Sequence, residues 1–367
     1  MTYSSHNIMQ ITKDQKNILE SQIHTAIAQQ QLTTAQLDLA YQEKWFKIWV
    51  PQELGGLGLK LSEGVRFLRD LAYIDGSLAW TITLCSGANL FVGFIDREKG
   101  NSVFSDAKVC FGGSGMCSGR AYKTEGGYLV SGVWKYATGS PHLTHFTANV
   151  PVFDGDEASV DEKGQASVIT IFADHTDVEL IRDWNTFGLE STASHSFKLD
   201  NVFIADNQVY SLVPEKATLA DPIYQYPFMP FAALTLLANY MGMFERFMDL
   251  VVDLFQHKSK QSGWQEKFGV SVKDHLDQTV VLYDKMQQEI WTEMDISWSK
   301  LVDGEGDEVC YARIETQSRD MVSFIRSKVT AFFPYCGIAA AQRESELNIV
   351  FRNIFTASQH NLLLKTD

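Results

Sequence analysis

The sequence predicts a mainly helical α+β protein in which helices come first, strands occupy the middle and helices return. Residues 1–104 carry helix caps and helical spacing of apolar residues, whereas residues 105–213 are rich in β-forming residues between turn signals. Residues 214–367 return to helical spacing. Separate runs of each type are typical of folds that keep helices and strands apart. We therefore predict an N-terminal α-helical domain, a central β domain and a C-terminal helical bundle with these boundaries.

The helical character of the first block follows from its capping signals. The segments 12–15 and 33–36 both fit the capping box Ser/Thr-x-x-Glu/Gln, which marks helix starts. Ser62 is expected to cap a further helix, and an apolar helix is expected over about residues 77–94.

The second block has short β-rich runs separated by turn signals such as Gly126-Gly127 and Asp154-Gly155. Strands at this spacing predict a compact antiparallel barrel or sandwich. The third block contains apolar residues that step by three, four or seven positions, as in the seam of a helical bundle. These are Leu276, Val280, Tyr283, Ile290, Met294 and Leu301.

Composition excludes several classes of partner. The net charge of -14, from 31 Lys+Arg against 45 Asp+Glu, argues against nucleic acid and anionic membranes, which bind basic patches. The five cysteines include no Cys-x-x-Cys pair, which predicts a reducing, cytoplasmic location without disulfides or a metal site. His142 and His145 are expected to be ordinary loop residues. Residues 1–11 lack the features of a signal peptide, and the apolar stretch 228–244 is too short to span a membrane.

Two segments have the small residues that a flat cofactor requires. The segment 112–119 reads G-G-S-G-M-C-S-G, which lets backbone N–H groups approach a planar ring or an anion closely, or simply forms a glycine-rich bend. A Rossmann fingerprint is rejected because strands follow it instead of a helix. The segment 132–140, G-V-W-K-Y-A-T-G-S, is an aromatic strand that ends in hydroxyl residues. Its aromatics can pack on a ring and a Thr hydroxyl can bond the ring edge, although a half-buried strand and turn would look the same.

Four segments together resemble the acyl-CoA dehydrogenase superfamily. Residues 184–202 read W-N-T-F-G-L-E-S-T-A-S-H-S-F-K-L-D-N-V, a pattern similar to that family's. Val50-Pro51 with Gly55-Gly56, residues 111–115 followed by 127–132, and residues 352–360 agree in order and spacing. The resemblance covers nearly the whole chain.

This resemblance implies an acyl-CoA dehydrogenase-like fold with a C-terminal four-helix bundle. It also implies a flavin, FAD or FMN, between the β domain and the bundle, with a neighbouring subunit completing the site in a homodimer or homotetramer. Thr138 would lie next to the flavin N5 edge, and Trp80 and Ser358 would contact the substrate. The implied cofactor contacts are Gly113, Ser114, Tyr136, Thr138, Gly139, Ser140 and Arg352.

The C-terminal segment departs from the dehydrogenases. They commonly carry Tyr-Glu-Gly-Thr after Arg-Asp, and the Glu takes the α-proton of an acyl thioester. Here Arg352-Asn353 replaces Arg-Asp, and His360 lies about where that Glu would be. The ending T-A-S-Q-H and the strand 134–139 are more similar to the two-component flavin monooxygenases. His exchanges protons near neutral pH, so His360 is expected to be catalytic, deprotonating a phenol or stabilising activated oxygen.

Three functions follow from these features. The first is a flavin-dependent monooxygenase that takes reduced flavin from a separate reductase and acts on a small organic substrate. The second is an acyl-CoA dehydrogenase whose base is Glu289, Glu293 or Glu344. The third is a flavin-free binding or interaction protein, because Glu190 would not favour a phosphate and residues 335–339 lack the family's glycine turn.

Overall fold

The structure is a computed structural model that describes residues 10–160 and 164–365. Over these residues the protein is mixed α and β and mostly helical, with the predicted order of helices, strands and helices. The helices are α1 Lys13–Gln29, α2 Thr34–Gln42, α3 Leu61–Ile74, α4 Gly76–Asn89, α5 Arg97–Phe104, α6 Phe228–Lys258, α7 Ser262–Val302, α8 Glu308–Cys336 and α9 Glu346–Ala357. The strands are β1 Phe111–Cys117, β2 Arg120–Thr124, β3 Gly127–Ala137, β4 His145–Asp154, β5 Glu157–Ala158, β6 Val168–Asp174, β7 Glu179–Ile181, β8 His195–Ala205 and β9 Val209–Tyr210.

Both predicted capping boxes are present. The side chains of Thr12 and Thr33 each accept a hydrogen bond from a backbone N–H in the first turn of the helix that follows. The prediction for Ser62 is wrong, because α3 already begins at Leu61. The Glu63 carboxylate accepts a hydrogen bond from the N–H of Lys60 at 3.0 Å, which fixes the helix start two residues earlier.

Asp75 separates α3 from α4 and caps the second of these helices. Its carboxylate accepts hydrogen bonds from the backbone N–H groups of Ser77 at 2.9 Å and Leu78 at 3.2 Å. The Gln36 side-chain amide donates a further bond at 2.9 Å. Because Asp75 is only 5% exposed, it holds α4 in place from inside the core.

We expect Asp75→Ala to lower the free energy of unfolding by about 2 kcal/mol, because the helix cap is lost and the Gln36 amide loses a buried acceptor. Urea denaturation followed by circular dichroism measures the change. Asp96→Ala is the matched control, since Asp96 caps α5 from an exposed position through a single bond to Lys99 N. A loss at Asp75 no larger than that at Asp96 would contradict this prediction.

The strands form one nine-stranded sheet in the order β7-β8-β3-β2-β4-β6-β9, with β1 and β5 also paired to β4. The predicted antiparallel arrangement is wrong in part, because β1 and β2 both run parallel to β4. Two parallel strands need a long connection between the end of one and the start of the other. Between β1 and β4 this connection contains the antiparallel pair β2–β3. Strand β4 pairs with four others, β1, β2, β5 and β6, and so joins the two parts of the sheet.

Helices α6, α7, α8 and α9 follow the sheet, and α6 packs against α3, α4, α8 and α9. On α7, Tyr283, Ile290 and Met294 are buried as the predicted seam requires. Val280 is the exception and is 45% exposed, whereas its neighbour Thr279 is fully buried, so the buried face of α7 passes through position 279. The domain boundaries remain a prediction. Within the described residues, no helix combines the length and the apolar character that crossing a membrane requires.

Candidate active site

A cavity of about 240 Å³ lies between the sheet and the helices. Its β wall includes residues 112–115 of β1 and Thr138, which follows β3. Its helical wall comes from α4 and α6, and His360 and Leu362 lie at its edge beyond α9. The structure therefore brings the strand that ends at Thr138 and the segment after α9 to the same cavity.

The β wall presents small and polar groups. Gly113, Ser114 and Thr138 all line the cavity. A Cβ atom on Gly113 would lie 2.0 Å from the carbonyl oxygen of Thr147, so only glycine allows β1 to pair this closely with β4. A Cβ atom on Gly115 would meet nothing within 4 Å, so this part of the wall is open.

Thr138 belongs to a chain of buried hydroxyl groups. Its Oγ1 lies 2.8 Å from Ser194 Oγ, which in turn lies 2.8 Å from Thr192 Oγ1. Thr192 donates its only hydroxyl proton to the carbonyl oxygen of Leu189 at 2.9 Å. All three bonds form together when Ser194 donates to Thr192 and Thr138 donates to Ser194. This order leaves the Thr138 oxygen with lone pairs only, so it acts as an acceptor toward any further partner.

The helical wall is mainly apolar and aromatic. Phe91, Phe228 and Phe231 line it together with Leu84 and Leu236. Aromatic side chains of this kind pack well against flat ring systems. Tyr210 adds a polar group whose Oη is buried and has no hydrogen-bond partner among the described residues. Burial raises the pKa of Tyr210, so its phenol keeps its proton and can donate to a ligand.

His360 lies at the edge of the cavity, against the edge of the Trp80 ring at a centroid distance of 5.9 Å. Its Nδ1 accepts a hydrogen bond from Leu362 N at 3.3 Å, which places the proton of the neutral ring on Nε2. Burial by the surrounding protein lowers the pKa of His360. The ring is nevertheless exposed in the single chain, so water screens part of this effect and we expect a small shift. His360 is therefore a neutral donor at neutral pH.

Five other predicted site residues do not line this cavity. Trp80 packs beside His360 and Tyr240, and Ser358 donates to the carbonyl oxygen of Phe355. Gly139 N donates to Thr192 O and Ser140 Oγ donates to Ala193 O, so both hold the turn that follows Thr138. Tyr136 is 61% exposed and adopts a positive φ of 70°. Their contacts to cofactor or substrate remain predictions.

Arg352 lies in a buried ion pair instead of on the cavity wall. Its Nη1 donates to the Glu190 carboxylate and to the carbonyl oxygen of Phe187, the latter at 2.8 Å. Arg352 and Glu190 are 9% and 8% exposed. Next to this pair, Asn353 Oδ1 accepts a bond from Leu189 N at 2.7 Å. These contacts fasten the loop between β7 and β8 to α9, and they explain why an acidic residue at position 190 is tolerated.

Several residues that line the cavity could not be predicted from the sequence. They are Thr83, Gly87, Thr147, Asn149, Thr170, Tyr210 and the aromatic residues of α6. Thr147 and Asn149 occupy alternate positions of β4, so period-two spacing within that strand would have placed them on one face. The α6 residues look like any buried helix, because the same residue types line a cavity and fill a core.

The cavity fits part of a flavin. Its aromatic wall, the open glycine wall and the acceptor Thr138 suit a planar ring that carries polar edges. Its volume of about 240 Å³ lies below the roughly 300–1,000 Å³ typical of pockets for drug-sized ligands, so a whole dinucleotide would not fit inside it. The phosphates and adenosine of a bound FAD would therefore lie outside this cavity.

Comparison with known proteins agrees with this architecture. No protein-family model matches the chain. A pigment production hydroxylase from a Rhodococcus species is 26% identical over 191 residues, which cover 50% of this chain and 47% of that protein. The oxygenase subunit HsaA of a flavin-dependent monooxygenase from Rhodococcus jostii is 23% identical over 207 residues, or 54% of this chain and 52% of HsaA. The chain thus spans about half the length of these curated relatives.

The structure of XiaF from Streptomyces sp., in complex with FADH2 and glycerol, superposes with a TM-score of 0.84. The match has 19% sequence identity and covers 95% of this chain and 89% of XiaF. The predicted resemblance to the acyl-CoA dehydrogenase superfamily, in its two-component flavin monooxygenase branch, is therefore confirmed at the level of the fold.

Proposed function

We propose that this protein is the oxygenase component of a flavin-dependent monooxygenase, which uses reduced flavin and O2 to hydroxylate a small organic substrate. The observation that carries the proposal is that Thr138 and His360 line the same cavity and no carboxylate among the described residues does. The flavin, FAD or FMN, would supply the activation of oxygen. The chain's residues would hold its ring, exclude water and position the substrate.

The absence of a cavity carboxylate weighs against the dehydrogenase alternative. Oxidation of an acyl thioester requires a base that reaches the α-proton. Glu293 pairs with Arg313 at 2.9 Å, and Glu289 lies 3.9 Å from Lys285 on α7. The side chain of Glu344 is 89% exposed beside His24. Within the described residues, none of these three carboxylates lines the cavity.

The flavin-free alternative is also disfavoured. One of its two grounds was Glu190, but this carboxylate is neutralised by Arg352 and does not line the cavity. The cavity also keeps unused hydrogen-bonding capacity in Tyr210 Oη and the Thr138 oxygen. A protein without a ligand there would be expected to fill or satisfy such groups.

His360 would act as a hydrogen-bond donor in this reaction. Its Nε2 carries the proton because Nδ1 accepts from Leu362 N. A donor at this place stabilises negative charge as it develops on an oxygen of the substrate. The apolar walls would strengthen this interaction once a bound flavin and substrate displace the water that reaches His360.

Thr138 would favour the reduced form of the ring. A reduced flavin carries an N–H at N5 where the oxidised ring has only a lone pair. Because Thr138 donates to Ser194, its oxygen can accept from the reduced ring but cannot donate to the oxidised one. The chain of hydroxyl groups would therefore favour binding of reduced flavin, which is the form that an oxygenase component receives.

We expect Thr138→Val to raise the Kd for reduced flavin by about tenfold, the equivalent of one lost hydrogen bond. Ser194→Ala leaves Thr138 in place but frees its proton, so the preference should shift toward oxidised flavin. Anaerobic titration with reduced FAD and FMN, beside titration with the oxidised forms, measures both. Thr176→Val is the control, since Thr176 lies at an exposed turn, bonds to Asp174 and does not line the cavity. If the ratio of the Kd values for oxidised and reduced flavin were the same in the wild type and both variants, this role of Thr138 would be contradicted.

The reaction itself is tested with isotopic oxygen. The protein is mixed with reduced FAD or FMN, ¹⁸O2 and a panel of small phenols and indoles, and products are identified by mass spectrometry. We expect one ¹⁸O atom in a hydroxylated product. Anaerobic reduction of the oxidised flavin by an acyl thioester would instead support the dehydrogenase, and no saturable binding of any flavin form would support the interaction protein.

The proposal extends to partners and location. Reduced flavin would come from a separate flavin reductase, as the name oxygenase subunit implies for HsaA. Exposed apolar residues on α7, including Val270 at 73% and Val281 at 68%, support assembly into a homodimer or homotetramer. A cytoplasmic location is part of the proposal, and the sequence supports it because the five cysteines include no Cys-x-x-Cys pair.

A further inference from the structure

Three side chains that are distant in the sequence meet behind the Thr138 turn. Cys85 lies on α4, Cys110 directly precedes β1, and His142 ends the 3-10 turn that follows β3. One potential metal-binding atom from each lies within 4.8 Å of the others. Two sulfurs and a nitrogen bound to one tetrahedral zinc ion are themselves separated by about 3.5–4 Å. The three groups are therefore already close to the arrangement that one ion would require.

The imidazole of this group has an unused ring nitrogen. His142 Nε2 is buried and has no hydrogen-bond partner among the described residues. The backbone fixes its position, because His142 N donates to the carbonyl oxygen of Gly139 at 2.9 Å. An orphaned buried nitrogen costs stability unless something binds it. The Cys85 and Cys110 thiols lie next to it, so a metal ion bound by these thiols could also be bound by this nitrogen.

The surrounding structure is shaped to hold the group tightly. Gly139 has a φ of 75°, and a Cβ atom there would lie 2.9 Å from His142 Nε2 and 3.1 Å from Cys85 Sγ. Cys85 and Cys110 are both 0% exposed. The side chain of Tyr41 lies next to Cys110 and helps to enclose the group. Cys85 Sγ also contacts the carbonyl oxygen of Thr138 at 3.7 Å, so the group lies directly behind the proposed flavin wall.

The charge balance allows an ion to be buried here. Two thiols and a neutral imidazole that bind Zn²⁺ release two protons and form two Zn–S bonds and one Zn–N bond, with no change of oxidation state. The resulting centre has no net charge. The desolvation cost that accompanies an isolated buried ion is therefore largely avoided. Sulfur and imidazole ligands are those that zinc prefers.

We propose that Cys85, Cys110 and His142 form a structural zinc site that joins α4 to the turn between β3 and β4. This inference departs from the expectation of no metal site, which rested on the absence of a Cys-x-x-Cys pair. The ligands come from three elements, so no local spacing could show them. Because the site lies outside the cavity wall, the ion would stabilise the position of Thr138 and take no part in the reaction.

The site is tested by metal content in the full chain. Reduced protein is incubated with Zn²⁺, desalted and measured by elemental mass spectrometry. We expect about one zinc per chain in the wild type and less than about a tenth of that in Cys110→Ser. Cys336→Ser is the matched control, because Cys336 is a buried thiol on α8 that donates to Phe332 O, within its own helix. It should retain the ion.

A second variant and a second measurement guard against misfolding. If Cys110→Ser does not fold, His142→Gln removes the imidazole with a smaller change in the core and should also lose the zinc. Co²⁺ in place of Zn²⁺ should give a thiolate-to-cobalt charge-transfer band that neither variant shows. Wild-type protein that retains no zinc after reconstitution would overturn the proposal, as would equal zinc in His142→Gln. Neither outcome bears on flavin binding, which is measured separately.

Discussion

Replacing His360 with alanine should lower kcat by about 10²–10³, the usual effect of removing one preorganised donor from an active site. The substitution removes the Nε2 proton that the Leu362 N–H fixes in place. It leaves the β wall and Thr138 untouched, so the Kd for reduced flavin should change little. Product formation with the best substrate of the panel, measured beside anaerobic flavin titration, separates these two effects.

Two variants and a pH profile show whether the loss comes from the donor. His360→Gln keeps an N–H of similar reach and should recover part of the rate, whereas Gln359→Ala changes an exposed neighbour and should be silent. Because burial lowers the pKa of His360 from 6.5, the neutral ring should persist slightly below that pH. Protonation of Nδ1 would break the bond from Leu362, so kcat/KM should fall only on the acid side. An unchanged rate in His360→Ala would remove this residue from the mechanism.

Replacing Arg352 with methionine should lower the free energy of unfolding by about 3–5 kcal/mol, because it leaves the buried Glu190 carboxylate without its counter-ion. The Phe187 carbonyl oxygen also loses its donor. The double variant Arg352→Met with Glu190→Leu should recover most of this loss, since two apolar residues need no partner. Urea denaturation of the single and double variants measures the difference.

The exposed ion pair of Lys123 and Asp206 provides the matched control for Arg352. Its atoms lie 2.9 Å apart, but both side chains are more than half exposed. Lys123→Met should leave the free energy of unfolding unchanged within error, because water replaces the lost partner. If Arg352→Met were as mild as this control, the pair between α9 and the loop after β7 would not hold the two parts together.

The sequence predicted the order of elements because periodicity is a local property. The capping boxes at Thr12 and Thr33 and most of the α7 seam were visible in a few consecutive residues. The parallel pairing of β1 and β2 with β4 was not, because it depends on where a distant strand returns. The exposure of Val280 was missed for a different reason: the buried face of α7 runs through its polar neighbour Thr279, which a pattern of apolar residues does not include.

The part of the candidate site that lies within short sequence motifs could be predicted. Gly113, Ser114, Thr138 and His360 were named from short segments, and they line one cavity. Arg352 was named from the same resemblance and pairs with the buried Glu190 carboxylate, so its contact with a cofactor stays a prediction. The aromatic residues of α6 gave no signal, since burial in a core and burial around a cavity select the same side chains.

The joint between α9 and the loop after β7 has a consequence for biosynthesis. Leu189 and Asn353 are separated by 164 positions, and Glu190 and Arg352 by 162. A nascent chain that emerges from the ribosome N-terminus first can complete its sheet long before these partners are made. Until then the apolar surface formed by Phe91, Phe228 and Phe231 is not covered by the segment that follows α9. Slow translation between these points would prolong that unfinished state, so yields of the protein in a foreign host should depend on chaperones.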